Sequence, residues 1–155
     1  MHCYNNNQNG GTFVNTVIPV PGATAADATY VVDLTHYTCG NRKICANGAY
    51  PVNGQLAYQV YNAPRPVGNN AWVVDILITG TVSYMPYRAG QSQCGCGCNC
   101  PVTENVWAVV SVPVASDAVP TITPGTVLAN PTGLSDCCNI TNAVSLVGSF
   151  NLATA

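Results

Sequence analysis

Charge is what this sequence lacks most. Asp, Glu, Lys and Arg make up 6% of its 155 residues, against about 25% in an ordinary soluble domain. Lys43 is the single lysine and Glu104 the single glutamate. Four basic residues cannot neutralise a phosphate backbone, so no nucleic-acid partner is expected. They also leave no polybasic patch for a membrane surface. Long apolar runs are missing too. The best, "AWVVDILITG", is interrupted by Asp75, and none approaches the ~20 residues of a spanning helix. Membrane insertion is therefore not expected.

Chemistry-bearing residues are equally sparse. His2 and His36 are the only histidines, and His36 reads as a surface residue at a strand end. With one glutamate and scattered aspartates, a paired-carboxylate site is not expected. No glycine-rich phosphate loop stands between a strand and a helix; "GQSQCGCG" lacks both that context and a lysine. No enzyme, cofactor or small-molecule substrate is expected. The opening "MHCYNNNQNGG" has neither a basic region nor an apolar stretch, so no secretory signal is read there. No window of helical length carries an apolar stripe with a cap.

What is present is alternation. Apolar residues make up 48% of the chain. Trp72, Val74, Ile76, Ile78, Val82 and Tyr84 share one parity, with Gly80 as a gap where a strand can bend. Val106, Ala108, Val110, Val112 and Val114 do the same, as do Val144, Leu146, Phe150 and Leu152. Weaker strands are read over Gly11–Ile18, Thr29–Tyr37, Gln55–Asn62 and Gly125–Ala129. Dense punctuation separates them: "ANGAYPVNG", "NAPRPVGNN", "ITPGT", "NPTG". The pattern predicts an all-β chain. It comprises one β-sandwich or jelly-roll domain of about seven or eight strands over 12–155, behind a flexible connector tail over 1–11.

Nine cysteines stand out against this background: Cys3, Cys39, Cys45, Cys94, Cys96, Cys98, Cys100, Cys137 and Cys138. An odd count leaves at least one without a partner in its own chain. In "CGCGCNC" the spacing is one residue, so in an extended segment the four sulfurs would form a row on one face. Structural zinc sites use wider pairs. The row is read as disulfide-forming thiols, with a zinc or copper thiolate site at Cys94, Cys96, Cys98 and Cys100 as the alternative. Cys39 and Cys45 enclose a turn that a local disulfide would close. Cys137 and Cys138 are adjacent and are expected to point to different partners. Cys3, in a polar tail ahead of any strand, reads as an intermolecular tether.

A cysteine-bearing polar tail, a glycine-rich spacer and a low-charge β body resemble the subunits of bacterial endospore appendages, the fibres on spore surfaces. A cysteine-rich spore coat or crust protein is the related reading. The residues that carry the resemblance are Cys3 in "MHCYNNNQNGG" and the cysteine-rich β body. The resemblance implies a jelly-roll domain that stacks by sheet augmentation and a connector that crosslinks distant subunits. It also implies a place outside the cell or on the spore surface, reached without a secretory signal. The expected partner is the chain itself, in a homopolymer with helical symmetry.

Overall fold

The computed structural model describes residues 10–45, 51–87, 101–132 and 140–154. Nine strands lie among them: β1 Gly11–Pro19, β2 Asp27–Tyr37, β3 Ile44–Cys45, β4 Asn53–Pro66, β5 Trp72–Tyr84, β6 Val102–Val114, β7 Thr121–Thr132, β8 Ile140–Thr141 and β9 Ala143–Ala153. A single 3-10 turn, Cys39–Asn41, follows β2. The order β1-β2-β9-β7 makes a four-stranded sheet, β4-β5-β6 a three-stranded one, and β3-β8 a short ribbon. All the strand pairs are antiparallel. β1 lies beside β6 and β4 beside β7, so the two larger sheets face each other as the expected β-sandwich.

The alternation explains the layering. In β2 the even positions Ala28, Tyr30, Val32 and Leu34 are buried, and in β9 so are Val144, Leu146, Phe150 and Leu152. From the other sheet, Val74, Ile76, Ile78, Val82 and Tyr84 of β5 meet Val106, Ala108, Val110, Val112 and Val114 of β6. Each buried Val, Leu, Ile or Phe side chain among them contributes about 1.5–3 kcal/mol. Tyr30 and Tyr58 pack against Phe150, with ring centroids 5.7 Å and 4.9 Å away, at the centre of this core.

Two segments depart from the sequence reading. "NAPRP" was expected to be a turn, yet β4 continues through it to Pro66 with register shifts after Val60 and after Asn62. "ITPGT" likewise lies inside β7, with a bulge between Pro124 and Val127. Both are edge strands, where proline's missing N–H costs no ladder bond. Across Gly80, β5 runs as the one long strand expected and pairs β6 without a register shift from Trp72 to Tyr84. The role of Gly80 is close approach. A Cβ there would lie 1.9 Å from the Gln55 carbonyl oxygen of β4.

The two poles of the sandwich differ. At one, Gly11 pairs with Tyr37, Tyr37 and Thr132 both pair with Ala143, and Tyr84 pairs with Val102. Cys45 pairs with Ile140, Ile44 bridges to Pro86, and the Tyr87 N–H donates to the Lys43 carbonyl. At the other pole stand Pro19, Asp27, Trp72, Val114, Thr121 and Ala153.

Candidate functional site

Sequence phase puts one carboxylate in the wrong layer for a carboxylate. Glu104 follows Val102 and precedes Val106 on the inward face of β6, and it is 2% exposed. Its neighbours answer it with donors. His36 Nε2 lies 2.8 Å from Oε1, and the Tyr84 hydroxyl donates to Oε2 at 2.5 Å. The Cys39 backbone N–H reaches Oε1 at 3.1 Å and Oε2 at 3.3 Å, and Arg42 Nη1 reaches Oε2 at 3.4 Å. Beyond His36, the Thr12 hydroxyl lies 2.8 Å from Nδ1. One side chain thus ties β6 to β1 (through His36), β2, β5 and the 3-10 turn.

The electrostatics follow from this geometry. Burial pushes the Glu104 carboxyl up, but hydrogen bonds from His36, Tyr84 and the Cys39 N–H outweigh it, leaving the group below its ordinary value. Burial, and then the bond to the carboxylate, push the Tyr84 phenol well above the ordinary tyrosine value. Thr12, His36 and Glu104 form a hydroxyl–imidazole–carboxylate series, but His36 is only 1% exposed. Every group around the carboxylate donates to it, which is the chemistry of a clamp. The shallow pocket lined by Val20, Pro21, Asp27 and Thr29 is at the opposite pole.

A second charged group sits on the outer face of the three-stranded sheet. Asp75 accepts from Arg65 Nη1 at 2.6 Å, Ser111 Oγ at 2.5 Å and Asn62 Nδ2 at 2.9 Å. These bonds, that from Arg65 first, hold its carboxyl far below the usual carboxylate range. Nearby, the rings of Tyr61 and Trp107 meet edge to face at 6.2 Å, and both are about half exposed.

Of the nine cysteines, two lie among the described residues. Cys39 opens the 3-10 turn and is disulfide-bonded. Cys45 is fully buried in β3, and its N–H donates to the Met85 carbonyl. Cys3, Cys94, Cys96, Cys98, Cys100, Cys137 and Cys138 lie outside the described residues. Among the described residues, no group of three or more His, Cys, Asp or Glu is placed to hold a metal ion.

The reading of His36 as a surface residue is corrected here: it is buried because it continues the inward parity of Tyr30, Val32 and Leu34. The same parity rule, applied to β6, picks out Glu104. Two polar residues in core phase on different strands were the available signal for a buried pair. No family model, curated protein or solved structure matches this chain.

Proposed function

We propose that this chain is a structural subunit that assembles with copies of itself into a disulfide-locked fibre or spore surface layer. The observation that carries the reading is that Cys39, Cys45 and the described residues flanking the other cysteine-bearing segments lie together at one pole. Cys39 and Cys45 are there. The chain around Cys3 enters β1 at that pole through Gly11. The segment holding Cys94, Cys96, Cys98 and Cys100 leaves it at Tyr87 and returns at Val102. The segment holding Cys137 and Cys138 leaves at Thr132 and returns at Ile140. Crosslinks formed there would act along one direction of the subunit, with Cys3 as the tether between copies.

A second feature supports assembly. β1 is an edge strand with no charged residue, and Phe13, Val14 and Ile18 on it are exposed. Tyr37 extends the strip, its ring 5.8 Å from Phe13. An apolar edge of this kind is a template for strand addition. A net charge of -2 does little to keep copies apart.

Electron microscopy of purified material, with and without reductant, tests the reading. Oxidised protein is expected to form polymers that survive detergent and run as ladders on non-reducing gels. Cys3→Ser should weaken assembly and leave the sandwich folded. Oxidised polymers that fall to monomer in detergent alone would end the covalent part. Stoichiometric zinc or copper in reduced protein would replace disulfides with a thiolate site at 94–100.

A further inference from the structure

The two larger sheets end in four strands, β1 and β7 in one, β4 and β6 in the other. As templates for another strand they are unequal. β7 carries Pro124 and Pro131 and a bulge after Pro124, and β4 carries Pro64 and Pro66 with two register shifts. Each proline withholds a donor from an incoming neighbour. β6 is regular, but its outer row includes Thr103, Asn105 and Ser111, all polar and exposed. β1 has no charged residue, and its single proline, Pro19, is its last position.

The register of β1 against β2 assigns its two faces. Val14 and Val17 pair with Leu34 and Val32, which are fully buried, so both lie on the inner face. Phe13 and Ile18 pair with Thr35 and Val31, the residues of β2 turned away from the core, so both lie on the outer face. The register shift between Val14 and Thr16 falls in the middle of this set. A two-fold axis passing between Asn15 and Thr16 therefore matches like face with like face. It sets Phe13 of each copy opposite Ile18 of the other, and Val14 opposite Val17. Phe13, Val14 and Ile18 are exposed and Val17 is partly buried, so all four have surface to lose. Apolar pairs directly across two antiparallel strands are what stabilise such a ladder.

We propose that β1 pairs antiparallel with β1 of a second copy about this two-fold axis, joining the two four-stranded sheets into one. The inference rests on the self-assembly proposed above and gives it an interface and a symmetry. Gly11 stands at the pole of Cys39 and Cys45, and Pro19 at the opposite pole. Antiparallel pairing turns the cysteine-bearing poles of the two copies to opposite ends. A two-fold contact uses the same patch on both partners and closes on itself, so this edge alone makes a dimer. The dimer carries a cysteine-bearing pole at each end and is thus a two-ended unit for chain growth.

The test uses the full chain in reductant, where crosslinks between copies do not form. Labelled and unlabelled protein are mixed, and isotope-filtered NMR reads contacts between copies. The expected contacts run from the Phe13 ring to the Ile18 methyls and from Val14 to Val17. Sedimentation should show a dimer, and Phe13→Lys or Ile18→Glu alone should raise its Kd about ten- to a hundredfold. Combined in one chain, the two substitutions face each other across the axis as opposite charges. The double variant should then bind at least as tightly as either single one, where independent losses would add. If a variant does not fold, the wild-type contacts decide. Monomers in reductant that still polymerise on oxidation would overturn the dimer and leave the disulfide-locked reading standing. Open-ended polymers in reductant, or contacts from Phe13 to β6 or β7 of another copy, would overturn the two-fold axis and leave strand addition standing. A chain that stays monomeric both reduced and oxidised would end both.

Discussion

Replacing Tyr84 by Phe isolates one bond of the Glu104 cluster. Tyr84 is 1% exposed and its ring packs in the core, so the substitution removes an oxygen and almost no volume. The bond lost is the 2.5 Å donation to Glu104 Oε2. A buried bond to a charged acceptor contributes about 1.5–3 kcal/mol. Arg42 Nη1, 3.3 Å from the same hydroxyl, is partly exposed and resolvates, so it adds little. For a domain of this size each kcal/mol shifts Tm by about 2–4 °C, giving a fall of roughly 3–12 °C at pH 7. The pH dependence carries its own sign. Glu104 is depressed in the folded state, so its stabilisation is present above the unfolded value and fades as pH falls through the folded one. Removing a depressing bond raises the folded value, so the Tyr84→Phe deficit should be full at neutral pH and shrink in acid. Calorimetry of both proteins at pH 7 and in acid reads this out. A Tm within about 1 °C of wild type at pH 7, or a deficit that widens in acid, would show that the Tyr84–Glu104 bond does not stabilise the fold in this way.

Other substitutions probe the same physics elsewhere. Tyr58→Phe should be neutral or stabilising by thermal melt, because the Tyr58 hydroxyl is buried with no hydrogen-bond partner among the described residues; a loss matching that of Tyr84→Phe would show a partner. Its phenol is pushed up to about 12 by burial, so no phenolate signal from it should appear in an ultraviolet titration at pH 10. Gly80→Ala places a Cβ 1.9 Å from the Gln55 carbonyl and should cost about 3 kcal/mol or more in denaturant unfolding. Arg65→Ala removes the first of the bonds that depress Asp75, so the Asp75 carboxyl should titrate at higher pH by NMR, with the loss of stability full at neutral pH and shrinking in acid.

The parity of apolar residues was enough to place the long strands, because each buries one face and alternation is the direct record of that. It was weakest for β7, "TITPGTVLANPT", where two prolines and a glycine mimic a loop. Their meaning depends on whether the strand is at an edge, and the sequence does not say which strands are edges. The bulge at Pro124–Val127 settles the point only once β9 is seen beside it. The buried cluster was half legible. Parity exposes His36 and Glu104 as core residues in the wrong chemistry. Their pairing across 68 positions follows only from β2 and β6 facing each other. That the strand ends flanking the cysteine segments share one pole was not legible at all, since it depends on which ends of seven long strands lie together.

The proposed assembly of copies through the uncharged edge strand β1 is tested most directly by sedimentation velocity under oxidising conditions on the wild type and Phe13→Lys/Ile18→Lys. Both side chains are more than half exposed, at 56% and 55%, so the fold should tolerate the change to within about 0.5 kcal/mol per site, as circular dichroism would show. Large polymers are expected for the wild type, and folded monomers or disulfide-linked short oligomers for the variant. A wild type that sediments as a monomer, or a folded variant that polymerises equally well, would contradict that assembly.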